Sequence, residues 1–147
     1  MLKGSIGLFS AVDLFEKLKS DYEALLIDPN DSYKSFNFFI TAEHIPDWIG
    51  NTNIKRSNTY LRICSHLATG AKHFNITDPT KTSVDGYSVE VYAKNGYVEN
   101  EYFETVLVVN LSEKEAKELG VNTIVLTELA KNILGYWEAY FKKLVTK

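Results

Sequence analysis

The sequence changes its hydrophobic period twice, and that switch limits the folds open to it. From residue 10 to residue 74, and again from 122 to 144, apolar side chains recur at steps of three and four. Between these stretches, "YSVEVYAK" (87–94) sets Tyr87, Val89, Val91 and Ala93 against Ser88, Glu90, Tyr92 and Lys94. A step of three or four marks one face of a helix, and strict alternation marks a half-buried strand. A chain that moves from the first pattern to the second and back predicts helices with a small antiparallel insertion.

The helical stretches can be read one by one. "SAVDLFEKLKSDYEALLI" (10–27) carries Ala11, Leu14, Phe15, Leu18, Tyr22, Leu25 and Leu26 on one face, with Ser10 placed to cap it and "DPND" to stop it. "SYKSFNFFITAEHIPDWI" (32–49) is apolar almost all round, which predicts a central helix touched on several sides. Pro46 lacks an amide and should kink that helix or start a fresh turn. After a loop at 50–58, a third helix over about 58–74 puts Tyr60, Ile63, Cys64, Leu67, Ala71 and Phe74 together. "NITDPTKTSVDG" (75–86) reads as a polar loop.

"NG" at 95–96 is a strong hairpin signal and "YFETVLVVNL" (102–111) a second strand, with "VENE" leaving the register open. "SEKEAKELG" (112–120) predicts a short exposed helix, with Ser112 and Glu115 as a capping box and Gly120 as stop. The final stretch (122–144) aligns Leu126, Leu129, Ala130, Ile133, Trp137, Tyr140, Phe141 and Leu144, and should close the bundle. No repeat or linker divides the chain. The expectation is one α+β domain over 1–147, mainly an up-down bundle of about four helices with an antiparallel β-hairpin inserted before the last.

Composition narrows the function classes. Of the 147 residues 45% are hydrophobic and 13% aromatic, enough for a well-filled core, and the net charge of −3 argues against a broad nucleic-acid or acidic-membrane footprint. Cys64 is the sole cysteine, so neither an internal disulfide nor a cysteine-rich zinc site is available. There is no run of eighteen apolar residues and no secretory-type N-terminus, so a cytoplasmic protein without a membrane partner is expected. No phosphate loop, dinucleotide fingerprint or nucleophile elbow occurs, and no cofactor is expected.

Two polar stripes remain as candidate sites. Arg62, His66, Thr69 and His73 follow at steps of four, three and four, which places them within roughly 60° of one another on the third helix. An Arg beside a His can stabilise a phosphate charge while the imidazole moves a proton, the chemistry of RNA cleavage. The plainer reading is a solvated face, with His73 near the negative end of the helix dipole. One metal ion cannot take both histidines, because seven residues separate them by roughly 10 Å of helix rise. The other stripe, Asn37, Thr41, His44 and Trp48, lies on the central helix. It reads either as buried polar groups satisfied by neighbouring helices or as the floor of a ligand pocket.

At "FNFFITAEHIPDWI" and "ICSHLATGAKHF" the chain resembles a family of small, uncharacterised bacterial proteins, whose likeness runs on through the hairpin and "VVNLSEKEAKELG" into the last helix. That family brings no activity with it. More remotely, the helical layout with its polar Lys-His helix is similar to HEPN domains (higher eukaryote and prokaryote nucleotide-binding). Several of these are RNases or partners of nucleotidyltransferases. The resemblance implies, for an RNase, an Arg, a polar residue and then a His after four to six intervening residues, at a site completed across a dimer. Here Ile63 follows Arg62, three residues separate Arg62 from His66, and ten separate it from His73. The leading expectation is therefore a non-enzymatic binding or interaction protein, acting on a protein partner or as a homodimer. The alternatives are a metal-independent RNase using Arg62 with His66 or His73, and a small-ligand sensor using Asn37, Thr41, His44 and Trp48.

Overall fold

The computed structural model describes residue 4 and residues 6–72, 80–93 and 103–145. In chain order these form α1 (Ala11–Ile27), α2 (Ser32–Trp48), α3 (Ile54–Ser57), α4 (Thr59–Lys72), β1 (Val84–Ala93), β2 (Phe103–Leu111), α5 (Glu113–Leu119), β3 (Thr123–Val125) and α6 (Leu126–Val145). The protein is α+β, mostly helical, with one small antiparallel sheet.

Local chemistry sets the helix ends. At the start of α1 the Ser10 hydroxyl accepts from the Asp13 amide, while the Asp13 carboxylate accepts from the amides of Ser10 and Phe9. Each satisfies a donor that the first turn would otherwise leave unpaired. Asp31 does the same for α2, accepting from Tyr33 and Lys34. Pro46 stands in the last turn of α2, and the helix runs through it to Trp48 before Gly50, at φ 73°, turns the chain away. Only glycine adopts that left-handed conformation without penalty.

The four long helices pack on one another, α2 touching α1, α4 and α6 as its all-round apolar character requires. Leu18, Phe38, Ile63, Leu129 and Trp137 are among the fully buried side chains at the centre. Phe15 of α1 stacks on Phe141 of α6 with ring centroids 4.9 Å apart, joining the first long helix to the last.

The sheet has the order β1-β2-β3, all antiparallel. Its register runs from Val84 opposite Leu111 to Ala93 opposite Phe103, with an irregularity between Val84 and Gly86. The "NG" turn and "VENE" lie outside the described residues. β3 adds to the expected hairpin: Val108, Val109 and Asn110 of β2 pair with Val125, Ile124 and Thr123. The stretch read as one helix from 122 thus begins as a strand, because Thr123, Ile124 and Val125 suit a pleated, half-buried edge better than a helix turn.

The helix expected at 112–120 forms, but without its capping box. No side chain caps α5; the Ser112 hydroxyl instead donates to the Thr82 carbonyl and to Asp85. Glu115 is 3% exposed and turned inward. A tertiary partner, the Arg62 guanidinium, outcompetes the local cap.

A basic cleft beside helix α4

The Arg62/His66 face of α4 is docked against other elements. The segment 81–84 and helix α5 close over it, leaving His66 only 8% exposed. Ser83 makes three contacts there. Its amide donates to His66 Nδ1 at 3.1 Å, its hydroxyl donates to Glu115 Oε1 at 3.0 Å, and its carbonyl accepts from the Ser112 amide at 3.1 Å. With Nδ1 accepting, the neutral imidazole carries its proton on Nε2. Burial pushes the His66 pKa down, and Lys81 adds to this against the weaker pull of Glu115 and Asp85.

Arg62 lies between two carboxylates on α5. Its Nε donates to Glu115 at 3.3 Å and its Nη2 to Glu118, while Nη1 reaches the Arg56 carbonyl at 3.1 Å. A hydrogen bond from the Thr59 hydroxyl and the Arg62 charge hold the Glu118 carboxyl below its ordinary range. This cluster explains why Glu115 abandons the helix cap: a buried carboxylate next to a guanidinium must be paired and hydrogen-bonded.

A second chain of contacts runs along the neighbouring side of α4. Lys81 Nζ donates to Ser65 Oγ at 2.7 Å, Ser65 Oγ donates to Glu43 Oε1 at 2.9 Å, and Lys55 Nζ meets the same oxygen at 2.9 Å. Burial works against the Lys55 ammonium, but Glu43 and Asp47 outweigh it and raise its pKa.

Between these two sets opens a cleft of about 510 Å³. Lys55, Arg56, Arg62, Lys81 and Lys114 contribute five cations to its wall. The remaining described wall residues, Thr52, Asn53, Ser65, Thr80 and Ser83, are hydroxyl or amide side chains, and no carboxylate is among them. The acidic groups that balance Lys55 and Arg62, namely Glu43, Asp47, Glu115 and Glu118, are not among these wall residues. Arg56, Lys81 and Lys114 have no such partner among the described residues, so in a chain of net charge −3 the cleft presents positive charge locally.

Of the four residues on the first stripe, the structure places Arg62 in the cleft wall and His66 behind it. Thr69 donates back to the Ser65 carbonyl at 2.7 Å, and His73 lies outside the described residues. The second stripe does not act as one surface. Thr41 is buried and holds α1 to α2, accepting from Lys17 Nζ at 2.9 Å with Asp21 Oδ2 at 2.6 Å. Asn37 is exposed, His44 faces Asp47 at 3.6 Å, and Trp48 packs in part on the core. None of these four lines the basic cleft.

Cys64 is buried with its thiol against the Phe39 carbonyl, and burial pushes its pKa up, which favours the thiol over the thiolate. Among the described residues no three His, Cys, Asp or Glu side chains are grouped to hold a metal ion. No helix in the described residues is long and apolar enough to cross a membrane.

Periodicity missed Lys55, Arg56, Lys81 and Lys114 because three of the four lie in or beside the loops that flank α4. The available signal was that both flanking loops, "GNTNIKRSN" and "NITDPTKTSVDG", carry lysine among hydroxyl and amide residues. No protein-family model matches the chain, and no curated protein or solved structure is detectably similar to it.

Proposed function

We propose that the protein is a non-enzymatic binding protein whose recognition site is the basic cleft and whose ligand is a small anion. One observation carries this reading. Arg56, Lys81 and Lys114 face the cleft with no carboxylate within ion-pair distance among the described residues. Like charges gathered on a concave wall repel, and an anion between them relieves that repulsion. At about 4 Å in a partly screened site, each cation contributes roughly 4 kcal/mol of attraction before desolvation is subtracted.

Two further features favour binding over turnover. RNA cleavage would use Arg62 as phosphate binder, yet Glu115 and Glu118 already occupy its guanidinium. It would use His66 as acid or base, yet that ring is buried and its Nδ1 is taken by Ser83. A general base must reach the proton it removes.

Titration calorimetry with sodium pyrophosphate tests the reading. Saturable binding is expected, weakened by salt and by Lys81→Ala. No heat at millimolar pyrophosphate overturns it. Metal-independent RNA cleavage in EDTA, present in the wild type and lost in a folded Arg62→Ala/His66→Asn variant, overturns the non-enzymatic part.

A further inference from the structure

The make-up of the cleft wall bears on which anion fits it. We infer that its ligand is a sugar or polyol carrying at least two phosphates, an inference that rests on the cleft being the anion site proposed above. A volume of about 510 Å³ is far more than one phosphate fills, and lies within the ~300–1,000 Å³ typical of small-molecule sites.

Arg56 of α3, Lys81 ahead of β1 and Lys114 of α5 come from different elements and have no carboxylate within ion-pair distance among the described residues. Lys55 and Lys81 flank Ser65, linked through Ser65 and Glu43. Arg62, engaged by Glu115 and Glu118, braces α3 through the Arg56 carbonyl and leaves ligand contact to Arg56, Lys81 and Lys114. One phosphate carries a charge of about −1.5 to −2 near pH 7 and leaves these three cations short of balance, whereas two phosphates joined by a spacer balance them. A planar guanidinium fork reads phosphate oxygens in pairs, and ammonium groups add point charge.

The spacer must be polar. Thr52 and Asn53 bring a hydroxyl and an amide to the wall, and Asn53 spends no side-chain hydrogen bond on capping α3. These match ligand hydroxyls as donor or acceptor. No aromatic side chain is among the described wall residues. A nucleobase bound there would forgo the stacking worth about 1–3 kcal/mol per base in nucleotide-binding sites. The wall therefore fits a phosphorylated sugar or polyol better than a nucleotide.

The same chemistry is offered by a free sugar bisphosphate and by a phosphorylated inositol headgroup, so the test has an arm for each. Calorimetry on the full chain compares fructose 1,6-bisphosphate, glucose 6-phosphate, tripolyphosphate and ATP. Cosedimentation uses phosphatidylcholine vesicles with and without phosphatidylinositol 4,5-bisphosphate. The expected result is fructose 1,6-bisphosphate binding at least tenfold tighter than glucose 6-phosphate and tighter than tripolyphosphate or ATP. Lys81→Ala and the exposed Lys114→Ala each weaken it about tenfold, at unchanged melting temperature. Cosedimentation that requires the phosphoinositide and is lost in both variants supports the class with a lipid source, even if soluble probes bind weakly. ATP or tripolyphosphate binding as tightly as the bisphosphate, without phosphoinositide-dependent cosedimentation, overturns the ligand class and leaves the anion cleft standing. Binding of no probe, pyrophosphate included, overturns both.

Discussion

The Ser83 amide donates to Nδ1 of His66 across 3.1 Å, joining the chain ahead of β1 to the middle of α4. The bond exists only while the ring is neutral, because a protonated Nδ1 would set donor against donor. With its pKa lowered in the folded state, His66 binds a proton more readily once the protein unfolds. Stability is therefore full above the unfolded value of about 6.5 and is lost as pH falls from there through the folded pKa. His66→Asn keeps an acceptor in place and removes the titration. Thermal melts between pH 7.5 and 5 should show the wild type losing more stability than the variant, and parallel curves would refute the assignment.

Glu115 and Glu118 both pair with Arg62, but Glu115 alone is buried. Removing Glu115 leaves the Arg62 Nε–H and the Ser83 hydroxyl without their shared acceptor. Glu115→Ala should cost about 3 kcal/mol in urea unfolding, as expected for breaking a buried pair, and Glu118→Ala clearly less. Equal losses would mean that the two carboxylates share the role.

Two glycines make opposite predictions. Gly50 has open space where a Cβ would sit but holds φ 73°, so Gly50→Ala should destabilise by about 1 kcal/mol through the backbone alone. Gly135 also faces open space, lies within α6 and has no positive φ. Gly135→Ala should stabilise by roughly 0.5–1 kcal/mol. Chemical denaturation of the pair checks both signs.

Trp137 is fully buried among Tyr136, Tyr140 and Phe141, and its indole N–H has no hydrogen-bond partner among the described residues. An unpaired buried donor costs about 1–3 kcal/mol, which offsets part of the packing that the ring supplies. Trp137→Phe should then lose less than about 2 kcal/mol, and Trp137→Ala roughly 3–5 kcal/mol. Calorimetric melts of both variants distinguish the cavity from the lost N–H.

The long helices could be read from the sequence because burial imposes a period on each. Leu14, Phe15, Leu18 and Leu25 are buried as their spacing requires, and Ser10 caps the turn it precedes. The cleft could not be read this way. Lys55, Lys81 and Lys114 lie far apart in the chain and share no period, and the fold alone brings them to one wall. Glu115 misled for a related reason: local spacing from Ser112 suggested a cap, while Arg62, 53 residues away, offered a stronger partner. Thr41 met one of its two expectations as a buried, satisfied group, but exposed Asn37 on the same stripe did not follow it. β3 was hidden because three residues are too few to establish alternation before the helical pattern begins.

β3 ends at Val125 and α6 begins at Leu126 with no residue between them. The edge of the sheet is therefore a direct extension of the longest helix, and a tug on one is felt by the other without slack. Ile124 is pinned to Val109 while Leu126 sits in the core, so lifting the strand unwinds the first turn of α6. Amides on both sides of that junction should exchange with solvent at one common rate, as members of a single cooperative unit.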